Sequence, residues 1–348
     1  MMSSYSLPLN VRHLQIVRPI ISTIVILGLL VASPLSVAQQ EALVKPVSSN
    51  KPVSSVKSVS SNKPVSSVKQ GSLVEQEAPT VNEGATPRLV SIDWTHTETL
   101  LALGVTPVAV AQIADYNSWV KSPEIPPTVA DVGLRTQPNL ERIHELKPDK
   151  ILLSPMFSTL ETQLSKIAPV TTIGLYRSGD VDWSALETVT RKLAEVSEKQ
   201  PQAEVLIQKA NAEMDRLGSQ LPNSAPAMLM VQFMDTNHVR VFGDNSLYKV
   251  SVNKIGLESA WKGQTNAWGY SLVGVDQLIG VKGQIVIISP MPAGTEEHLK
   301  TNQFWQYIVI ESGYPALQVP AVWSFGAIPS ATRFAKFIAS ELNGGSTL

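Results

Sequence analysis

Pro201-Gln-Ala-Glu-Val-Leu-Ile-Gln-Lys-Ala-Asn-Ala-Glu-Met-Asp-Arg-Leu-Gly218 is the most helix-prone stretch of the chain, and it stands between two segments of a different character. Proline suits a first helical turn, where the amide it lacks would have no partner anyway. Ala203, Val205, Leu206, Ala210, Met214 and Leu217 follow inside, and Gly218 stands at the expected exit. We read residues 200–220 as one long helix, stiff enough to act as a strut.

On both sides of the strut, short apolar runs alternate with helical patterns. In the first half Leu89–Ile92 reads as a strand, Thr97–Leu103 as a helix closed by Gly104, and Val108–Ala111 as a strand. Leu140, Ile143 and Leu146 share a helical face that Lys147-Pro148 stops, and the strand Ile151–Leu153 follows. Ser158-Thr-Leu-Glu161 has the form of a capping box, opening a helix to Ala168 before Pro169 and the strand Val170–Ile173. The second half offers Met228–Phe233, Val239–Phe242, Ile285–Ile288 and a final helix Ser330–Leu342. Such alternation predicts parallel strands with helical crossovers. The expected architecture is α/β: a lobe over 87–199, the helix 200–220, a lobe over 221–348, and a ligand cleft between the lobes.

Upstream, Arg12, His13 and Arg18 precede the uncharged run Ile20–Ala32, and Ser36-Val-Ala38 ends it. This is the order of a secretory signal peptide over 1–38, cleaved after Ala38. An uncleaved anchor is the alternative, because the apolar stretch reaches about 18 residues if it is run through Val37. From 39 to 86 the chain is Ser/Lys/Pro-rich, and Ser48-Ser-Asn-Lys-Pro-Val-Ser-Ser-Val-Lys57 recurs unchanged at Ser60–Lys69. It lacks the large side chains that would offset ordering entropy, so it reads as a disordered tether, or else as a contact to cell wall through its lysines. There is no cysteine, which excludes a disulfide, a thiolate nucleophile, an iron–sulfur cluster and a lipidated N-terminal Cys. The net charge of −1 gives no basic surplus for nucleic acid.

Catalytic patterns are missing. The five histidines form no ligand-spaced pair, and no GxSxG, HExxH or Walker A stretch occurs. A Ser–His–Asp set that meets only in space leaves a secreted hydrolase as a minor alternative. Instead, aromatics cluster near strand ends and in Gly/Pro-rich connections: Trp94, Tyr116, Trp119, Phe157, Trp268, Tyr270, Trp323 and Phe325. In open α/β sheets such positions border the crevice. Arg135 sits in Asp131-Val-Gly-Leu-Arg-Thr-Gln-Pro-Asn-Leu140, where Leu134 is expected to anchor the loop and Pro138-Asn139 to start a helix. Its planar donors suit paired oxygens of an anion, and a surface ion pair is the plainer reading.

Val132-Gly-Leu-Arg-Thr-Gln-Pro-Asn-Leu-Glu141, Val241-Phe-Gly-Asp-Asn-Ser-Leu247, Trp261-Lys-Gly-Gln-Thr-Asn-Ala-Trp-Gly269 and Val319-Pro-Ala-Val-Trp-Ser-Phe-Gly326 resemble the periplasmic ferric hydroxamate siderophore-binding proteins of ABC importers. The likeness runs from about Arg88 to Gly345. It implies a monomeric periplasmic carrier with no cofactor of its own, the iron arriving already chelated. It implies Arg135 on the hydroxamate oxygens and an aromatic wall of Trp94, Trp119, Trp268 and Trp323, with Asn266 beside it. Phe157 stands where ferrichrome-binding relatives carry a tyrosine, and Leu153 where they carry a tryptophan. The lost hydroxyl is left to Tyr116, Tyr176 or Tyr270, or else a different chelate is preferred. One acidic residue per lobe is expected to meet arginines of an inner-membrane ABC permease. Asp276 takes that place in the second lobe. In the first, Thr162 holds the position and Glu161 is the substitute, unless it only caps its helix. A tris-hydroxamate ferric chelate is neutral, which suits one arginine and aromatic walls. The alternative ligands for the same architecture are cobalamin or haem, the latter wanting an axial Tyr or His such as Tyr116 or Tyr270.

Overall fold

The computed structural model describes residues 86–176 and 181–345. The signal peptide and all but the last residue of the tether lie outside the described residues. The first sheet takes β1 (Leu89–Ser91), β2 (Ala109–Val110), β3 (Ala130–Asp131), β6 (Lys150–Leu153) and β7 (Val170–Thr172) in the order β3-β2-β1-β6-β7. All four pairings are parallel. Their crossovers carry α1 (Trp94–Ala102), α2 (Ile113–Trp119) and α3 (Leu140–Glu145). A small antiparallel hairpin, β4 (Gly133–Leu134) with β5 (Gln137–Pro138), projects beyond β3.

The capping box does not form. Pro155 already starts a 3-10 turn, Pro155–Leu160, so Ser158 lies inside it and its carbonyl accepts the Glu161 amide. α4 is only Glu161–Leu164 and has no side-chain cap. It stops short of Ala168 because the amides of Lys166 and Ile167 turn to the carbonyls three residues back, those of Gln163 and Leu164.

After α5 (Trp183–Ser197), the strut α6 runs from Gln200 to Ser219 with Pro201 in its first turn. Gly218 is not its exit but lies within it. A Cβ there would sit 3.0 Å from the carbonyl oxygen of Ile255. Ile255 ends α7 (Leu247–Lys254), so the glycine permits two helices to approach closely.

The second sheet departs from the expected repetition. β8 (Met228–Phe233), β11 (Gln284–Ile288) and β12 (Leu317–Val319) are parallel, whereas β9 (His238–Phe242) is antiparallel to both β8 and β10 (Tyr270–Gly274). The turn 234–237 is too short for a helical crossover, so β9 must return beside β8. α8 (Thr295–Thr301), α9 (Gln303–Ser312) and α10 (Ile328–Leu342) complete the lobe.

One buried cluster runs across the whole body. It takes Leu89, Leu100 and Leu152 from the first lobe, Ile207, Met214 and Leu217 from the strut, and Met230, Phe242, Val286, Phe334 and Ile338 from the second.

Candidate functional site

The Arg135 hairpin is built by its neighbours. Asp131 Oδ1 accepts from the Gly133 amide at 2.8 Å and Oδ2 from the Ile113 amide at 3.0 Å, tying the hairpin to α2. Asn139 caps α3, its side chain accepting from the Arg142 amide at 2.9 Å. Val132 is the buried anchor; Leu134, expected in that role, is 51% exposed. Gly133, at φ +82°, turns the chain between the two, so they do not share one strand face.

Arg135, in the hairpin turn, is only 6% exposed. Its guanidinium lies 3.6 Å from the centre of the Trp94 ring, 5.5 Å from Trp323 and 5.6 Å from Phe157. Stacking on a desolvated aromatic face is worth about 2 kcal/mol and holds the fork in one plane. Trp94 is itself fixed, its indole N–H donating to the Ala111 carbonyl at 3.0 Å.

Around the guanidinium a cleft is lined by Asp93, Thr95, His96 and Ser154 at the end of the first sheet, by Met156, Ile173 and Tyr176 beside them, and by Trp268, Trp323 and Phe325 from the second lobe. The rings lock edge to face. Trp323 lies 4.9 Å from Trp94 and 5.2 Å from Phe325, and Trp268 lies 5.6 Å from Phe325.

Asp93 caps α1, accepting from the Thr95 amide at 2.7 Å. Burial pushes its carboxyl up, but His96, the Ser154 hydroxyl, Arg135 and the Thr95 amide together hold it below the usual aspartate range. Burial drives the His96 pKa down, against the pull of Asp93 and the Ile173 carbonyl. The neutral ring therefore donates from Nε2 to that carbonyl, 3.0 Å away.

Of the residues singled out from sequence, Arg135, Trp268, Trp323 and Phe325 come together on the lining. Trp94 lies beneath the arginine at 1% exposure. Phe157 belongs to a buried cluster of the first lobe, and Trp119 packs against a second cluster that holds Trp94, Tyr116 and Trp323; both are off the lining. Asn266 is exposed and shapes the loop, its Oδ1 accepting from the amides of Trp268 (2.9 Å) and Tyr270 (3.3 Å). Tyr270 stands behind Phe325, with Arg240 4.9 Å from its ring. The hydroxyls of Tyr116 and Tyr176 donate to the carbonyls of Pro123 (2.8 Å) and Gly326 (2.9 Å). Tyr116 is off the lining, and Tyr176 lines the cleft with its hydroxyl engaged by the Gly326 carbonyl. Sequence reading missed Thr95, His96 and Ser154, although the first two lie in the first turn of the helix that follows β1, at the carboxyl end of a parallel sheet.

Trp183 and Trp305 are off the lining of this cleft. Trp183 opens α5 under Lys254, and Trp305 packs on Phe233. Glu161 and Asp276 are exposed, on α4 and on the 3-10 turn Val275–Leu278. Among the described residues no group of His, Cys, Asp and Glu could hold a metal ion, and no helix is long and apolar enough to cross a membrane.

Comparison with known proteins narrows the family. The chain is 32% identical to the iron(3+)-hydroxamate-binding protein FhuD of Escherichia coli over 262 residues, 74% of this chain and 87% of the relative. The crystal structure of the Fe3+-Desferal-bound siderophore-binding protein FhuD from Vibrio cholerae superposes with a TM-score of 0.71 at 27% identity, covering 75% of this chain and 99% of that one. The triscatecholate siderophore-binding protein FeuA of Bacillus subtilis shares the fold at 17% identity, with a TM-score of 0.59 over 74% of this chain and 93% of that one. The family model described as periplasmic binding protein matches residues 89–309. With a two-lobed α/β body and a cleft built for binding, this chain belongs to the periplasmic binding protein family.

Proposed function

We propose that this chain captures ferric hydroxamate siderophores in the periplasm and delivers them to an ABC permease of the inner membrane, acting as a monomeric carrier and not as an enzyme. Arg135 bonds the hydroxamate oxygens, Trp268, Trp323 and Phe325 form the wall, and Trp94 and Phe157 seat the arginine. Trp119, Asn266 and Tyr270 act one layer back, by shaping that wall.

The charge of the lining carries this reading. Arg135 is cationic, Asp93 is held ionised, and His96 is neutral, so the fixed charges cancel. A neutral tris-hydroxamate chelate fits such a site. A triply anionic tris-catecholate would need several cations. The enclosed part of the cleft is only about 30 Å³. A chelate therefore presents one edge to Arg135 and leaves the rest in the mouth, against Trp268. The sequence relative from Escherichia coli and the Vibrio structure, both named for this substrate class, support the same choice. A titration of the mature protein with ferric hydroxamates, cobalamin and haemin, followed by tryptophan fluorescence, tests it. Quenching by the hydroxamates is expected, and quenching by haemin or cobalamin alone would overturn the reading.

Trp268→Ala is expected to weaken chelate binding several-fold with little change in Tm, because the ring is only partly buried. Trp323→Ala should cost both, since that ring is 8% exposed and donates to Thr95 Oγ1 at 3.2 Å. Trp183 and Trp305 should report little on ligand. A steep fall in Tm for Trp268→Ala with intact binding would move that ring into the core.

A further inference from the structure

α1 has no exposed face from Trp94 to Leu100, although Thr95, His96, Thr97, Glu98 and Thr99 are all polar. Such burial demands partners, and several lie across the lobe boundary. Thr95 Oγ1 donates to the Phe325 carbonyl at 2.7 Å. Glu98, fully buried, accepts from the Ala327 amide at 2.7 Å and from the Ser330 hydroxyl. Those donors lie at the N-terminus of α10, the second lobe's last helix. The fit is close: a Cβ on Gly326 would come within 2.5 Å of Glu98 Oε1 and 2.4 Å of Ser330 Cβ.

We propose that Glu98 is a positioning residue for ligand binding, its carboxyl group fastening the start of α10 to the first lobe and thereby fixing Trp323 and Phe325, which precede that helix, at the cleft. The inference rests on the reading that these two rings face the ligand. It goes further in making the grip depend on the proton that Glu98 carries.

The groups facing this carboxyl are the Ser330 hydroxyl, the Ala327 amide and Arg333 on the α10 side, Asp93 at the start of α1, and the phenols of Tyr116 and Tyr176. Arg333 is bound to the carbonyls of Val120, Ser122 and Ala321, and so does not pair directly with Glu98. Burial raises the Glu98 pKa to about 7; Ser330, Ala327 and Arg333 oppose the rise and Asp93 adds to it. A carboxyl raised from its ordinary value of 4.5 to about 7 makes the folded state the better proton binder. Its stabilisation is complete below pH 4.5 and is lost as pH rises through about 7. Above that, the joint encloses a charge whose two hydrogen bonds do not offset its burial, and separation of α10 from α1 would hydrate it.

The test compares wild type with Glu98→Gln, in which Oε1 still accepts from Ala327 and the amide group donates to Ser330. Between pH 5.5 and 8.5, wild type should lose roughly 4–8 °C more in Tm than Glu98→Gln. Over the same range its Kd for a ferric trihydroxamate should weaken about 3- to 10-fold, while that of Glu98→Gln stays level. Ser330→Ala, which removes a partner that favours the ionised form, should raise the Glu98 pKa further and shift the wild-type decline to higher pH. Parallel Tm profiles in wild type, Glu98→Gln and Ser330→Ala would overturn the proposal. So would a divergence in Tm with identical pH dependence of Kd. Absence of chelate binding by wild type at every pH would overturn the ligand reading and with it the positioning role, whereas the ligand-free Tm profiles judge the titration separately.

Discussion

Arg135→Ala is expected to weaken ferric hydroxamate binding by about 1.5–3 kcal/mol, roughly 10- to 150-fold, the range for losing a hydrogen bond to a charged group. Three features set the size of the effect. The guanidinium is 6% exposed, so its bonds are little diluted by water. It lies 3.6 Å from the Trp94 ring centre, so its fork is aimed before the ligand arrives. It is the cation on a lining whose other fixed charge is Asp93, and without it the ligand oxygens would meet a net negative floor. Lysine should recover only part of the loss, since an ammonium cannot present two coplanar donors. Calorimetric titration at neutral pH with one ferric trihydroxamate measures all three proteins. An affinity within twofold of wild type in Arg135→Ala would reduce Arg135 to a partner of Asp93.

The other large effect concerns transport. Glu161→Lys with Asp276→Lys should leave chelate affinity unchanged and abolish siderophore-dependent growth, if one acid on each lobe meets arginines of the permease. Both side chains are exposed, and exposed ion pairs contribute little to folding, so Tm should hold. The structure simplifies the reading of Glu161 because no capping box forms at Ser158. A loss of uptake in Glu161→Gln would then reflect charge at the docking surface and not a damaged helix. Normal uptake by the double charge reversal would show that the permease reads another surface.

How much of this was legible in the chain depends on how local the cause is. Met228–Phe233, apolar but for the buried Gln232, became β8 with the expected bounds, because a strand buried on both faces reads as a nearly continuous apolar run. Pro201 opened α6 as its missing amide allows. Gly218 misled because a glycine required by a neighbouring helix looks the same in sequence as one that ends its own. The box at Ser158 failed for a similar reason: Pro155 had already committed the backbone to a tighter turn. Antiparallel β9 was implied by the short turn before it, yet an apolar run carries no direction.

The cleft divides in the same way. Arg135 and the tryptophans at 268 and 323 stood out as costly residues in loops. Asp93, His96 and Glu98 did not. Their partners are Arg135, Ile173, Ala327 and Ser330, far away in sequence, and only the assembled sheet and helices bring them together.

The buried cluster that passes through the strut has a consequence for how the molecule comes apart. Removing the second lobe would uncover the sides of α1, α5 and α6 that pack against α7 and α10, leaving the first lobe with an open apolar side. The halves therefore depend on each other for existence as well as for binding. Heat or denaturant should undo them in a single transition, with the calorimetric and van't Hoff enthalpies equal, and a protease that nicks the strut should find no stable half to leave behind.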